Sequence, residues 1–339
     1  MSALPGRQRR DQARQPHLTA TALASTVTGG SRLEYDKQVN RVIDHIRRHL
    51  AEELSLAELA RVAAFSPFHF DRMFKAVTGE TLFGFIQRLR IERAAAALVN
   101  RPQQKILAIA LDHGFGSAAT FARAFRARFG MTATRWRDGG AQRWSARRRP
   151  ARNPGKHFRK PRKAAAGARL DTPGRRRREV TMAVHVRDLP SYHVACMRYV
   201  GPYGAHGIPE LWARLLKWLA AHPSTSTPRL TLGVAHDDPS ITAPEQCRYD
   251  ACVVVPGDFR PDALVDVVDI PAGRCAVAEF VGTAHEIQGV WDRVFGAWLP
   301  SSGYQPDDRP CVELYRGNPT VDAKTHTFRC ELGLPVRPL

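Results

Sequence analysis

The spacing of apolar residues divides the chain into two parts with different periodicities. From Tyr35 to about Trp136, apolar residues recur every three or four positions, which is the period of an amphipathic α-helix. Beyond Val180 the pattern changes to short apolar runs typical of β-strands, separated by two amphipathic stretches, Ile208 to Ala221 and His285 to Leu299. The sequence therefore predicts a multidomain protein in which an all-α domain is followed by an α+β domain.

Four segments follow from this change of pattern. Residues 1–33 are polar without periodicity and predict a disordered tail, and residues 34–137 form the helical domain. Residues 138–180 combine runs of arginine and lysine with prolines, which predicts a flexible basic linker, and residues 181–339 form the α+β domain. The chain lacks both the roughly 18 consecutive apolar residues of a membrane span and the apolar run of a signal peptide, so we expect a cytoplasmic protein with no membrane partner.

The helical segment repeats itself at an offset of 51 residues. The matching positions are Ser66, Phe70, Arg72, Phe74, Gly79 and Thr81 in the first copy and Ser117, Phe121, Arg123, Phe125, Gly130 and Thr132 in the second. Serine is a preferred N-cap and glycine a preferred C-terminal stop, so each copy predicts a short helix with a basic outer face. Together with the short helix before it, each copy predicts a helix-turn-helix, and the domain is a paired helix-turn-helix.

A longer helix, from Leu82 to Val99, is predicted between the two copies. Its length of roughly 26 Å would allow it to hold two recognition helices near one DNA turn apart, about 34 Å. The alternative is a helical bundle that makes no DNA contact, but the repeated serine caps and the matching outward arginines count against it.

The distribution of charge favours a polyanionic partner for the front of the chain. The net charge is +19, and residues 135–180 alone carry 17 Lys and Arg against three Asp and Glu. This segment would contact phosphates with salt-sensitive affinity, although a solvated tether or a coding bias towards arginine would give the same composition. Residues 181–339 are net acidic, which suits a neutral or cationic ligand.

The segment from Tyr35 to Arg137 resembles the AraC/XylS family of bacterial transcription regulators, and its plan is closest to the MarA, SoxS and Rob branch. The phrases that carry the resemblance are SLAELARVAAFSPFHFDRMFKAVTGET and LAIALDHGFGSAATFARAFRARFGMTATRWR. The resemblance implies a sequence-specific regulator that binds double-stranded DNA, acts with RNA polymerase and is associated with the nucleoid.

The same resemblance assigns DNA-binding positions to both recognition helices. These are Phe68, Asp71, Arg72 and Lys75 on the first helix and Ala118, Ala119, Thr120, Arg123 and Arg126 on the second. Ala118 and Ala119 stand where relatives often carry amides, and alanine can pack on a thymine methyl but cannot hydrogen-bond a base edge. Asp71 would either accept from cytosine N4 or repel phosphate. We therefore expect an operator that differs from those of relatives.

The second half of the chain contains the order β-α-β-β twice. Tyr199-Val200-Gly201 before the first helix is matched by Phe280-Val281-Gly282 before the second. The half from Val184 to Leu339 resembles the GyrI-like effector-binding domain in Gly201-Pro202-Tyr203, Trp298-Leu299-Pro300 and Arg309-Pro310-Cys311-Val312-Glu313-Leu314-Tyr315. The resemblance implies a cleft between the repeats that binds small organic molecules, often cationic and aromatic.

Glu313 is the strongest candidate for a ligand-binding residue. Strand alternation places it on one face with Cys311 and Tyr315, and an unpaired carboxylate in an apolar strand is expensive to bury. A ligand cation would offset that cost, assisted by the aromatic rings of Tyr203, Trp212, Trp291 and Tyr315. The alternative is a salt bridge to a protein arginine, either Arg274 or Arg329.

The leading functional hypothesis is thus a ligand-responsive transcription factor that needs no cofactor or metal and has no catalytic residues. One alternative is a hydrolase acting on strained electrophilic compounds, with Glu313 partnered by His193 or Tyr192. Another is a module that sequesters a toxin or drug. The six cysteines form no C-x-x-C pair, which favours buried reduced thiols over a disulfide framework or redox switch.

Overall fold

The computed structural model describes residues 29–148, 183–204, 207–222, 230–317 and 319–339. The predicted tail up to residue 28 and the predicted linker from residue 149 to 180 lie outside this range. The described residues form a helical domain followed by a sheet-rich domain, which confirms the predicted fold class.

The helices of the first domain, in chain order, are α1 (Gly29–Arg48), α2 (Leu56–Val62), α3 (Pro67–Thr78), α4 (Leu82–Asn100), α5 (Ile106–Asp112), α6 (Ala118–Phe129), α7 (Ala133–Arg135) and α8 (Ala141–Arg148). The predicted helical domain, residues 34–137, was too short at both ends, because residues 29–33 belong to α1 and α8 continues into the segment predicted as linker. Trp144 of α8 packs against Phe129, with ring centroids 5.3 Å apart, so apolar contact extends the helical domain beyond residue 137.

The caps of the two recognition helices α3 and α6 form as the repeat predicts. Ser66 Oγ and Ser117 Oγ each accept a hydrogen bond from the backbone N–H three residues later, and Gly79 and Gly130 end the helices with φ of 75° and 68°. A left-handed φ of this kind favours glycine. The preceding helices α2 and α5 are offset by 50 residues rather than 51, so the second turn contains one more residue.

The sequence Ser55-Leu56-Ala57-Glu58 predicts a capping box at the start of α2, which forms only in part. Ser55 Oγ accepts from Glu58 N, but the Glu58 carboxylate lies 3.1 Å from His45 Nε2 on α1 instead of returning to the serine. Tertiary contact with α1 therefore replaces the reciprocal half of the local motif.

Helix α4 belongs to two hydrophobic cores. Its first half, including Leu82, Phe85 and Leu89, packs with α1, α2 and α3, whereas its second half, including Ile91 and Leu98, packs with α5 and α6. The 19 residues of α4 correspond to about 28 Å of helix. Each helix-turn-helix is therefore built on its own half of one continuous helix.

The strands of the second domain are β1 (Val184–Leu189), β2 (Tyr192–Val200), β3 (Leu230–Ala235), β4 (Arg248–Val254), β5 (Asp266–Ile270), β6 (Gly273–Gly282), β7 (Tyr304–Pro306), β8 (Cys311–Arg316) and β9 (Phe328–Pro338). Its helices are α9 (Gly207–Ala221) and α10 (Ile287–Arg293). The sequence pattern did not predict β5 or β7, which are short and only partly buried.

The antiparallel sheet has the order β1-β6-β9-β8-β3-β4-β2-β5, with β7 added beside β9. The two predicted repeats, β2-α9-β3-β4 and β6-α10-β8-β9, therefore lie side by side and meet where β3 pairs with β8. Glu313 of β8 is opposite Gly233 of β3 in this register, so the candidate carboxylate lies at the junction of the repeats.

Candidate DNA interface and ligand cavity

The predicted DNA-binding side chains lie on solvent-exposed positions of the recognition helices. Those described as exposed are Asp71, Arg72 and Lys75 on α3 and Ala118, Ala119, Thr120, Arg123 and Arg126 on α6. The side chain of Phe68 lies outside the described part of the structure. The opposite face of each helix is buried through Phe70 and Phe74 or Phe121 and Phe125. Burial of the phenylalanine stripe thus directs the polar and small side chains outwards.

A cavity of about 870 Å³ lies between the two domains. All five predicted ligand-binding residues line it: Tyr203, Trp212, Trp291, Glu313 and Tyr315. Helices α9 and α10, one from each repeat, supply Trp212 and Trp291. The volume is within the range of roughly 300–1,000 Å³ typical of small-molecule sites.

The helical domain forms one wall of this cavity, which the sequence interpretation missed. The wall includes Leu89, Arg93, Ala96 and Asn100 of α4, together with Arg47 of α1. A signal was present in the sequence, because α4 carries four consecutive alanines and its apolar residues are spread around the helix instead of forming one stripe, as expected of a helix covered on more than one face.

Glu313 is buried and accepts hydrogen bonds from two tyrosines. Tyr249 Oη donates to Glu313 Oε2 at 2.6 Å, and Tyr315 Oη donates to the same oxygen at 2.9 Å. Burial raises the pKa of Glu313, while the two hydrogen bonds act to lower it. Trp212 Nε1 donates to Tyr249 Oη at 3.3 Å, so the carboxylate is held by a connected network inside the cavity.

Gly233 makes room for this network. A Cβ at Gly233 would lie 1.9 Å from Tyr249 Oη and 2.7 Å from Glu313 Oε2. Any side chain at this position would therefore collide with the tyrosine–carboxylate hydrogen bond. Tyr249 is thus a site residue that the sequence did not reveal, because its role depends on the pairing of β3 with both β4 and β8.

The alternative salt bridges for Glu313 do not form. Arg274 lies 3.7 Å from Asp188, and Arg329 lies 2.9 Å from Glu279. The two partners considered for hydrolysis are also elsewhere, since neither Tyr192 nor His193 lines the cavity and His193 Nδ1 is 2.6 Å from Asp269. Neither residue is therefore placed to act on a molecule bound beside Glu313.

The described cysteines are free thiols, and all but the half-buried Cys311 are buried, as the sequence predicted. Among the residues that the structure describes, no three His, Cys, Asp or Glu side chains are grouped as metal ligands. Within the same ranges no helix has the length and apolar character needed to cross a membrane.

A buried polar network joins the two domains beside the cavity. Arg198 of β2 contacts Asp250 at 2.7 Å and Asp44 of α1 at 3.0 Å. His236 Nε2 lies 2.7 Å from Asp250, and His236 Nδ1 is hydrogen-bonded to the Arg47 guanidinium of α1. Two side chains of the helical domain and three of the sheet domain are therefore joined in one buried network, in which Arg198 Nη1 alone lacks a hydrogen-bond partner among the described residues.

The loop formed by residues 237–242 makes a second connection between the domains. Its Ile241 packs in the same hydrophobic core as α5 and α6, and Thr242 Oγ1 donates to Glu92 Oε2 at 2.9 Å. Glu92 of α4 also accepts from Arg128 of α6 at 2.8 Å. Since Asp237, Asp238 and Pro239 line the cavity as well, this loop contacts both the cavity and the second helix-turn-helix.

These features define a DNA-binding regulator with a small-molecule binding domain. Residues 59–139 match a helix-turn-helix domain family, and residues 182–337 match the family described as a GyrI-like small molecule binding domain. The chain belongs to the AraC-type transcriptional regulators that carry a C-terminal GyrI-like domain.

Individual relatives match one domain at a time. YosT of Bacillus subtilis (strain 168), an SPbeta prophage-derived protein named as a transcriptional regulator, is 31% identical over 156 residues, which cover 46% of this chain and 100% of YosT. The transcriptional regulator Rob of Salmonella typhimurium is 40% identical over 98 residues, which cover 29% of this chain and 33% of Rob. The chain thus matches a third of Rob's length.

Among solved structures, the chain can be aligned with the cryo-EM structure of an EcmrR–DNA complex. The alignment covers 84% of this chain and 99% of the EcmrR chain, with 13% sequence identity and a TM-score of 0.42.

Proposed function

We propose that the chain regulates transcription, in concert with RNA polymerase, through DNA binding that an aromatic cation in the interdomain cavity controls. The observation that carries this proposal is Glu313, a buried carboxylate in a cavity walled by both domains. DNA is bound by the exposed faces of α3 and α6, and the ligand is bound by Glu313 and the rings around it.

The preference for a cation follows from the surroundings of Glu313. Its hydrogen-bond partners are neutral phenols, and no described lysine, arginine or histidine forms a salt bridge with it. A buried carboxylate without a counter-charge is unfavourable, so a ligand cation would be stabilised there. Trp212 and Tyr315 lie in an edge-to-face arrangement with centroids 5.2 Å apart, which presents aromatic surface to such a cation.

Control of DNA binding is proposed to pass through α4 and the loop of residues 237–242. A ligand can shift an equilibrium only if it interacts differently with the two states. Here the cavity wall includes α4, on which both helix-turn-helix motifs are built, so a change in the spacing of the domains alters ligand contacts and recognition-helix positions together.

We expect Arg72→Ala and Arg123→Ala each to weaken specific DNA binding by about 1–3 kcal/mol and to weaken non-specific binding less. The operator would first be obtained by genome-wide mapping of bound DNA, and affinities would then be measured by fluorescence anisotropy on operator and scrambled duplexes. Arg48→Ala is the control, because Arg48 is an exposed arginine of α1 that donates to its own helix.

Equal losses on both duplexes would show that Arg72 and Arg123 contact only phosphate. A chain that occupies no discrete sites on the genome would contradict the regulator function altogether.

For the ligand site, we expect Glu313→Gln to weaken binding of the aromatic cation rhodamine 123 by at least ~30-fold, because the substitution keeps the shape of the side chain and removes its charge. Binding would be followed by dye polarisation, and operator affinity would be measured with and without dye. Glu279→Gln, at an exposed glutamate of β6, is the control.

Unchanged dye affinity in Glu313→Gln would contradict the role of this carboxylate. Dye binding that leaves operator affinity unaltered would favour a sequestering module, and conversion of the dye over time would favour a hydrolase.

A further inference from the structure

The wall of the cavity that the helical domain provides contains two arginines that form no salt bridge with any carboxylate in the described part of the chain. Arg47 of α1 and Arg93 of α4 both line the cavity. Arg47 Nη2 donates to the backbone oxygen of His236 at 3.2 Å, and Arg93 Nη1 donates to the backbone oxygen of Arg47 at 3.2 Å. Among the described residues, neither forms a salt bridge, and the hydrogen-bond acceptors of both guanidinium groups are neutral.

The other arginines of the cavity are paired. Arg248 is bound by Asp237 through two guanidinium nitrogens, and Arg309 is bound in the same way by Asp307. Arg101 lies 3.9 Å from Asp308. The lack of a partner is therefore specific to the two arginines on the wall contributed by α1 and α4.

The positive charge of this wall is only partly compensated. Burial, followed by the nearby charges of Arg248 and Arg93, lowers the pKa of Arg47 to about 9, although Asp237 and Asp44 act to raise it. Burial also lowers the pKa of Arg93, and Asp308 opposes this only in part. Two guanidinium groups that are desolvated and mutually repelling would be stabilised by an anion placed between them.

We propose that Arg47 and Arg93 form an anion-binding subsite, so that the natural ligand is an aromatic zwitterion with its cationic group at Glu313 and an acidic group at the two arginines. This inference rests on the proposed function of the cavity and specifies its ligand class. An acidic group at this subsite contacts the DNA-binding domain directly, whereas Glu313 belongs to the sheet domain. The ligand therefore bridges the two domains, and its binding energy depends on their docked arrangement.

The test uses two dyes that differ in one group. Rhodamine 110 carries a free carboxylate, and rhodamine 123 is its methyl ester, so the first is a zwitterion and the second a cation. With the full chain, we expect rhodamine 110 to bind about ten-fold more tightly, as charge-assisted hydrogen bonds to arginine would provide. This comparison requires no variant to fold.

Variants then locate the preference. Arg93→Gln and Arg47→Gln should each abolish the preference for rhodamine 110, measured as the ratio of the affinities of one variant for the two dyes. Arg93→Lys keeps the charge and should retain part of the preference. The matched control is Arg41→Gln, because Arg41 is an exposed arginine of α1 that reaches Asp266 across the domain interface without lining the cavity.

The outcomes separate the two proposals. The anion subsite alone would be overturned if the two dyes bound with equal affinity, or if the preference persisted in both glutamine variants, provided that Glu313→Gln still weakened the binding of both dyes. If neither dye bound, or if Glu313→Gln bound both dyes as the unaltered chain does, the zwitterion proposal and the proposed cation site would fall together.

Discussion

Replacing Asp250 with alanine is expected to lower the free energy of unfolding by about 3–5 kcal/mol. Asp250 is buried on β4, where two nitrogens of Arg198 donate to it at 2.7 Å and His236 lies 2.7 Å away. Although burial opposes its ionisation, Arg198 and His236 hold the pKa of Asp250 well below its usual range. Removal of the carboxylate leaves a buried guanidinium whose one remaining salt bridge among the described residues is to Asp44.

This loss would be measured by urea unfolding followed through tryptophan fluorescence. Asp258→Ala is the control, since Asp258 is an exposed aspartate of the same domain and its removal should change stability by no more than about 0.5 kcal/mol. Asp250→Asn keeps the size of the side chain but loses the charge, so its loss should lie between the two. An Asp250→Ala loss as small as that of Asp258→Ala would mean that the interdomain network contributes little.

The second large effect is a loss of stability on acidification that depends on His236. Burial, followed by the charge of Arg47, lowers the pKa of His236 to about 4. The contacts explain the direction, because the neutral ring donates from Nε2 to Asp250 and accepts from Arg47 at Nδ1. A second ring proton would point at a guanidinium that cannot accept it.

The direction of this change in stability with pH follows from proton uptake. Between a pKa of about 6.5 in the unfolded chain and about 4 in the folded chain, the unfolded state binds a proton that the folded state excludes. Stability is therefore fully present above this window and falls as the pH decreases through it, by about 2 kcal/mol from pH 7 to pH 5.

The free energy of unfolding should differ clearly less between pH 7 and pH 5 in His236→Gln than in the unaltered chain. The glutamine amide can still donate to Asp250 but does not titrate. His285→Gln, at an exposed histidine, should keep the full difference. If His236→Gln kept it as well, another group would be responsible; the buried His113, whose pKa burial also lowers, is the next residue to test.

Much of the helical domain could be predicted because its signals are local. The serine caps, the glycine stops and the phenylalanine stripes each act within one or two turns of helix, so a repeat of 51 residues is sufficient to locate α3 and α6. The prediction was wrong where a distant contact competes with a local one. Glu58 contacts His45 instead of closing its capping box, and Trp144 draws α8 into the core.

The ligand site was predicted only in part for the same reason. Strand alternation and the family resemblance indicated Glu313, and all five predicted residues line one cavity. Tyr249, by contrast, reaches Glu313 from 64 residues away through two strand pairings. Nothing in its sequence neighbourhood distinguishes it from any other tyrosine in a buried strand.

The sequence by itself determined that this protein has two helix-turn-helix motifs, a sheet domain made of two similar halves, and a carboxylate where those halves meet. Local caps and apolar periods are sufficient for the motifs and the two halves, whereas the carboxylate was indicated by strand alternation together with the family resemblance. Only the tertiary structure decided that α4 forms a wall of the cavity and that Arg47 and Arg93 face into it without a carboxylate partner among the described residues. Such contacts join residues far apart in the chain, and their energies depend on burial and charge that arise only when the two domains are docked.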